Sequence, residues 1–278
     1  MLEKALEQKY EALKSRLKAM APVAVAFSGG VDSTFLLKVA SDTLGEGACA
    51  ITVESPYIAT WEIEEANVLT SAMGVQHIHL ALSIPDSIVN NPENRCYLCK
   101  TAVFTAIKQS AMERGFKTIV DGSNADDLKD YRPGMKALKE LAIDSPMLEV
   151  GLTKSEIRLL SRMLQLPTWD KPPYACLLTR LPYHTQIETA VLRRIEKAEK
   201  YLMDEGIRAV RVRTHGDLAR IEVDSKELPK LLDPEMMAKV NDALKVIGFK
   251  HVTLDLAGYR MGSFNEAIAS SGVDEQQR

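Results

Sequence analysis

At 278 residues the chain has room for one large domain or two modest ones, and its 46% hydrophobic and 26% charged content is that of a soluble globular enzyme. A net charge of -3 gives no support for a nucleic-acid footprint spread over the surface. No apolar run approaches the roughly 20 residues of a membrane span, the first twenty residues are neither a signal nor a transit peptide, and the expected location is cytoplasmic.

Leu2, Ala5, Leu6, Leu13 and Leu17 share one helical face, which predicts an amphipathic helix over 2–20. A short Val-rich run, 24–27, then reads as a buried strand. It breaks at Ser28-Gly29-Gly30-Val31-Asp32-Ser33 and resumes as an apolar-periodic helix from Thr34, ending near Leu44-Gly45. A strand, a glycine turn and a helix start make an anion site. Gly29 and Gly30 let the backbone approach a ligand, and the free N–H groups of the first turn point at it. Ser28 and Ser33 can donate hydroxyl hydrogen bonds, and Asp32 can hold a metal. The bland alternative is an ordinary strand–helix turn. The loop is not a Walker loop, since no Gly-Lys-Ser/Thr follows, nor a dinucleotide fingerprint, since Gly-x-Gly-x-x-Gly is missing.

Cys49–Val53 is a second strand, and Thr60–Met73 the next helix with Thr60 as its N-cap. Val75–Leu82 is a third strand, Cys96 opens a helix to Arg114, and Lys117–Asp121 is a fourth strand followed by Gly122-Ser123-Asn124-Ala125-Asp126. The alternation predicts an α/β fold, a parallel sheet wound on both faces, with ligands beyond the carboxyl ends of the strands at a switch point. The phosphate loop, Glu54-Ser55 and Gly122-Ser123-Asn124 all follow strand ends, which predicts one nucleotide crevice. There the Val53 backbone reads the adenine edge and Gly122 permits close approach. Thr153-Lys154-Ser155-Glu156 is a capping box opening a helix to Leu164. Pro167, Pro172 and Pro173 then stiffen a connector carrying Cys176. A charged helix, Ile187–Glu205, precedes strands Ala209–Thr214 and Leu218–Val223, a helix Glu235–Ile247 and a strand His251–Leu256, which suggest a small α+β domain of split β-α-β type. The expected organisation is a nucleotide domain over 1–170 including the N-terminal helix, a connector over 171–185, an α+β substrate and oligomerisation domain over 186–264, and a polar, disordered tail over 265–278.

Four cysteines in a cytoplasmic chain point to metal binding, catalysis or burial rather than a disulfide framework. Cys96 and Cys99 form a Cys-x-x-Cys pair, a spacing common to metal and redox sites. No second such pair exists, and Cys176 is the remaining cysteine in a loop-like segment. Three thiolates leave a metal position open and suit an iron–sulfur cluster as well as zinc. The alternative is that Cys96 and Cys99 pack a helix while Cys176 acts alone. Cys49 lies in a strand pattern and is expected to be buried. His77 and His79 alternate along a strand and are weak ligand candidates. His184, near Cys176, is a better one.

The Ser-Gly-Gly-Val-Asp-Ser loop resembles that of the PP-loop ATP pyrophosphatases, which cleave ATP between the α and β phosphates. Four further motifs narrow the resemblance: Asp130-Tyr131-Arg132-Pro133-Gly134, the stretch Ala175 to Tyr183, Val210-Arg211-Val212-Arg213, and Leu254-Asp255-Leu256-Ala257-Gly258-Tyr259-Arg260. Over about residues 22–264 the chain is similar to the ATP-dependent sulfur transferases of nickel-pincer nucleotide synthesis, which serve the lactate racemase cofactor. That resemblance implies adenylation of a carboxylate of pyridinium-3,5-biscarboxylic acid mononucleotide, then displacement of AMP by sulfur. One branch of the family has a single cysteine matching Cys176 and sacrifices its sulfur. This chain resembles instead the branch whose three cysteines, here Cys96, Cys99 and Cys176, hold a [4Fe-4S] cluster fed by a sulfide source. Also implied are ATP phosphate binding by Ser28, Gly29, Gly30, Asp32 and Ser33 with Mg²⁺, and charge stabilisation by Lys100. Asp126 and Arg180 would face the crevice. Arg211, Arg213 and Arg260, with Glu199 at a matching acidic position, would bind the substrate phosphate and carboxylates. A trimer-based hexamer is implied too. The bland reading of Arg211 and Arg213 is one exposed strand face.

Rival readings are a tRNA thiolase, an amidotransferase-type synthetase that adenylates a carboxylate for ammonia, and a non-catalytic adenine-nucleotide sensor. The acidic balance argues against the first. The cysteine trio has no purpose in the other two.

Overall fold

The computed structural model describes residues 3–129 and 133–259, and the chain divides into two units, Met1–Tyr174 and Ala175–Arg278. Arg260, the Asp130-Tyr131-Arg132 part of its motif, and the tail over 265–278 lie outside the described residues.

In the first unit, helix α1 (Lys4–Met20) buries Leu6, Leu13, Leu17 and Met20 along one stripe. The elements that follow are β1 (Val23–Ala26), α2 (Val31–Leu44), β2 (Ala48–Glu54), α3 (Thr60–Met73), β3 (Gln76–Ala81), α4 (Arg95–Glu113), β4 (Thr118–Val120), α5 (Pro133–Glu140), the single turn α6 (Pro146–Glu149) and α7 (Lys154–Met163). The strands pair in the order β3-β2-β1-β4, parallel throughout. Both faces are covered. Val23 and Val25 join one core with Leu17, Phe35 and Ile157, while Ala24 joins the other with Cys49, Phe104 and Ile107. This is why β1 reads as an unbroken apolar run: alternate side chains enter two cores instead of one core and water. The edge strand β3 is polar, with Gln76, His77 and His79. The fold is that of an adenine-nucleotide alpha-hydrolase-like domain, and β1 and β4 flank its switch point.

Most boundaries fall within two residues of expectation. Gly45 caps α2 at φ 55°. Thr153 accepts from the Glu156 N–H while Glu156 accepts from the Thr153 N–H, so the capping box is present at α7. Thr60 is not an N-cap. Helix α3 begins at Thr60 itself and Ala59 occupies the cap, without a side-chain cap bond.

The second unit comprises α8 (Thr189–Asp204), β5 (Val210–His215), β6 (Leu218–Val223), the turn α9 (Leu228–Leu231), α10 (Pro234–Ile247) and β7 (His251–Leu254). Strands β5 and β6 form an antiparallel hairpin with His215 opposite Leu218. Gly216, at φ 64°, takes the first place of its two-residue loop, where the twist of a tight hairpin demands a positive φ. Helices α9 and α10 then cross over to β7, which pairs parallel with β6. The two parallel strands are adjacent, so the expected split β-α-β is corrected to a hairpin followed by an unsplit β-α-β. Ala198, Leu202, Val212, Ile221, Leu244 and Phe249 fill its core.

Candidate active site

The phosphate loop leaves β1 at its carboxyl end. Gly29 adopts φ 66°, and a side chain there would meet Ala66 at 3.5 Å. Gly30 is the N-cap of α2. The loop is bent by its own hydroxyls: Ser28 and Ser33 Oγ lie 3.1 Å apart, the Ser28 N–H points to Ser33 Oγ at 3.3 Å, and Ser33 Oγ donates to the Gly30 carbonyl at 3.3 Å. The first amide groups of α2, left without partners inside the helix, are the donors a phosphate requires. The segment after β4 lies against the same helix end. A Cβ on Gly122 would come within 3.2 Å of the Ser33 nitrogen and 3.3 Å of Asp32 Cβ, so only glycine fits without moving backbone.

Charge gathers at this point. Asp32 Oδ2 pairs with Lys154 Nζ, and Asp32 Oδ1 lies 3.5 Å from Asn124 Nδ2. Asp126 accepts from the Lys154 N–H at 2.9 Å, placing a carboxylate at the positive end of α7. Lys171 Nζ donates to the Gly29 carbonyl at 2.9 Å and to Glu65 at 2.6 Å. Asn124 lies in a stretch expected at the crevice, whereas Lys154 and Lys171 are site residues that the sequence reading does not single out. A signal for Lys154 existed: a cation in the first turn of a helix opposes the macrodipole and implies an anion nearby. Lys171 carried no comparable signal.

Strand β2 outruns β1. Its pairing with β1 ends at Ala26↔Ile51, with the Phe27 N–H reaching the Ile51 carbonyl, whereas its pairing with β3 continues to Glu54↔Ala81. Val53, two residues past Ile51, therefore directs its backbone groups to the side where β1 has already ended. An open backbone edge beside the phosphate loop is what an adenine ring can hydrogen-bond.

Cys96 and Cys99 occupy the first turns of α4, three apart and so on one face. Cys96 is exposed and Cys99 half-buried, both free. Cys99 Sγ donates to the Tyr57 hydroxyl at 3.5 Å. Burial pushes the Cys99 thiol up, and Cys96 adds to this against the pull of Tyr57 and Lys100. The stem of Lys100 packs over Gly134, where a Cβ would stand 2.6 Å from Lys100 Cδ.

In the second unit, Cys176 opens a 3₁₀ turn over Leu177–Arg180. Its carbonyl accepts from Thr179 Oγ1 at 3.0 Å and from Arg180 Nη1 at 3.0 Å, and Arg180 Nη1 also reaches the Ala175 carbonyl at 2.6 Å. The rest of the Arg180 guanidinium grips Glu199 through two bonds of 2.8 Å. Glu199 also accepts from the Val212 N–H at 2.8 Å. Arg213 bonds Glu222 at 2.5 Å and the Thr179 carbonyl at 2.6 Å. Arg211 donates to the Val210 carbonyl at 2.8 Å and lies over the Tyr259 ring. Arg211 and Arg213 are 4% and 5% exposed, so they are not an exposed strand face. The structure thus brings Arg180, Glu199 and Arg213 together around the Cys176 turn. Within neither unit do three or more His, Cys, Asp or Glu side chains converge on a common metal position among the described residues.

The asparagine synthase family matches residues 4–120, the nucleotide half of the chain. An uncharacterized protein of Synechocystis sp. is 38% identical over 95% of this chain and 99% of its own length. Pyridinium-3,5-bisthiocarboxylic acid mononucleotide synthase of Lactiplantibacillus plantarum is 35% identical over 96% of this chain and 97% of its own. An uncharacterized protein of Methanocaldococcus jannaschii is 32% identical over 86% and 90%. No helix among the described residues is long and apolar enough to cross a membrane.

Proposed function

The chain belongs to the ATP pyrophosphatase enzyme family that includes pyridinium-3,5-bisthiocarboxylic acid mononucleotide synthase, and from that premise we propose that it inserts sulfur, at the expense of ATP, into the carboxylates of pyridinium-3,5-biscarboxylic acid mononucleotide. The observation that carries this reading is Cys176, a half-buried cysteine outside any disulfide, held by an arginine-bonded turn in a chain whose other unit bears a phosphate loop. The asparagine synthase likeness stops at residue 120 and so concerns the shared adenylating half.

In this reading Ser28, Gly29, Gly30 and Ser33 hold the triphosphate, and Val53 and Gly122 border the adenosine. Asp32 and Asp126 serve Mg²⁺. Lys154, now paired with Asp32, turns to the departing pyrophosphate, as does Lys100. A carboxylate resists acyl transfer because oxide is its leaving group; adenylation replaces oxide by AMP, which a sulfur nucleophile displaces. Arg211 and Arg260 contact the substrate phosphate and carboxylates, while Arg180, Glu199 and Arg213 act through the Cys176 turn. The working assembly is a trimer-based hexamer.

None of Cys96, Cys99 and Cys176 is in a disulfide; cysteine sulfur is the donor type an iron–sulfur group takes, and we assign the three as ligands of a [4Fe-4S] cluster. Such a cluster, when bound, supplies an iron without a protein ligand, open to external sulfide. The test is anaerobic iron and acid-labile sulfide analysis of wild type and Cys99→Ala. Iron present in the first and lost in the second supports the ligand set. No iron after strict anaerobic reconstitution returns Cys176 to the role of a sacrificial sulfur donor. Sulfur insertion is tested separately, by mass spectrometry of the product formed with Mg-ATP and sulfide.

A further inference from the structure

Strand β3 carries two histidines that the proposed chemistry does not use. His77 and His79 stand two apart and so project from one side of the strand, with ring centroids 4.1 Å apart. His79 Nδ1 meets Glu54 Oε1 at 2.6 Å near the solvent rim. Both ring nitrogens of His77 are engaged: Nε2 lies 2.7 Å from Thr52 Oγ1 and Nδ1 lies 3.0 Å from Thr70 Oγ1. Thr52 Oγ1 in turn donates to the Phe27 carbonyl at 2.8 Å. Phe27 is the residue before Ser28, and its ring packs edge-on against His77 at 6.0 Å. A chain of hydrogen bonds therefore runs from α3 through β3 and β2 to the root of the phosphate loop.

Counting protons gives this chain a direction. Thr70 Oγ1 also lies 3.0 Å from the Ala66 carbonyl and 3.1 Å from the Asn67 carbonyl, so there are five links. Two hydroxyls and a neutral imidazole carry three protons. Phe27 is 3% exposed, and an unsatisfied buried carbonyl is costly, so the Thr52 proton goes to Phe27. Thr52 must then accept from His77. That places the imidazole proton on Nε2 and leaves Nδ1 to accept from Thr70. The two links given up are those from Thr70 to Ala66 and Asn67, whose carbonyls the helix ladder already serves. Burial, with help from His79 and against Glu54, lowers the His77 pKa to about 4, so the ring is neutral at physiological pH.

We propose that His77 is a positioning residue for the phosphate loop: as the Nε2–H tautomer it orients the Thr52 hydroxyl onto the Phe27 carbonyl and so sets the direction in which the chain enters Ser28-Gly29-Gly30. The Phe27 N–H is already held by the Ile51 carbonyl at 2.9 Å, so the relay fixes the other side of the residue from which the loop springs. The inference rests on the reading of this loop as the ATP site.

Imidazole ¹⁵N–¹H correlation spectra of the full chain, and calorimetric titration with Mg-ATP in the absence of carboxylate substrate, test it. A neutral Nε2–H ring is expected for His77 from about pH 8 down to about pH 5. His77→Phe and Thr52→Val should weaken Mg-ATP binding by about 5–10-fold, the loss of one hydrogen bond. His77→Gln, whose amide N–H can replace Nε2–H, should recover most of that loss. An Nδ1–H tautomer, or unchanged affinity in His77→Phe, would overturn the proposal. If wild type binds no Mg-ATP, the nucleotide reading falls, and the tautomer still decides the relay.

Discussion

Replacing Glu199 by alanine should unfold the second unit before anything else in the chain. Arg180 and Glu199 are 2% and 3% exposed and joined by two parallel bonds of 2.8 Å. Removing one partner of such a pair leaves a buried charge uncompensated, at a cost of about 3–5 kcal/mol. The same carboxylate accepts from the Val212 N–H, whose loss lies within that figure because the two effects share one side chain. For a unit of this size each kcal/mol moves the midpoint by about 4–8 °C, so a fall of at least ~12 °C is expected. Hydrogen exchange followed by mass spectrometry should show it in peptides from α8 and β5. Tryptophan fluorescence is a poor probe, since both tryptophans, Trp61 and Trp169, lie in the first unit. The double variant Arg180→Met with Glu199→Leu should recover much of the loss, because an apolar pair buries no charge. A cost below ~1 kcal/mol for Glu199→Ala, or strict additivity in the double variant, would refute the reasoning.

Asp32→Asn should cut AMP formation with Mg-ATP and substrate by at least ~100-fold, the scale of losing a preorganised electrostatic group; unchanged AMP release would remove Asp32 from the site. Cys176→Ala should abolish thiocarboxylate formation and leave AMP release intact, and full thiolation in that variant would sink the assignment of Cys176. Acid should weaken the first unit through His77. Its folded pKa, about 4, lies below the unfolded 6.5, so the stability it contributes is complete above about pH 6.5 and is lost as pH falls through about 4. The full difference would be ~3.4 kcal/mol at ~1.4 kcal/mol per pH unit, and about half is expected for a half-buried ring. Urea midpoints from pH 7 to 4, compared with His77→Gln, measure it; equal slopes would show that His77 contributes nothing.

The nucleotide half was legible because its signals are local. A Val-rich strand, two glycines and a helix start are contiguous in the chain, and their chemistry needs no partner from elsewhere. The sheet of the second unit was less so. Strand and helix positions follow from periodicity, but whether β7 lies beside β6 or beyond another strand depends on pairing, which no local pattern encodes. The arginines of β5 show the same limit: spacing gives the face, and only packing reveals that Glu222 and the Thr179 carbonyl receive Arg213. Lys154 is intermediate. Its capping box was readable, while its reach to Asp32, 122 residues away, was not.

Cys49 lies inside β2 with no exposed surface, and burial raises its thiol to about 12. The proposed function, with its activated acyl groups and reactive sulfur, requires a spare thiol to be inert, because a thiolate would capture the acyl group or be oxidised. Here the safeguard is solvation alone. The same side chain is a nucleophile or a piece of hydrocarbon-like filling according to whether water can reach it, and the interior of the sheet insulates the fourth sulfur from the chemistry proposed for the other three.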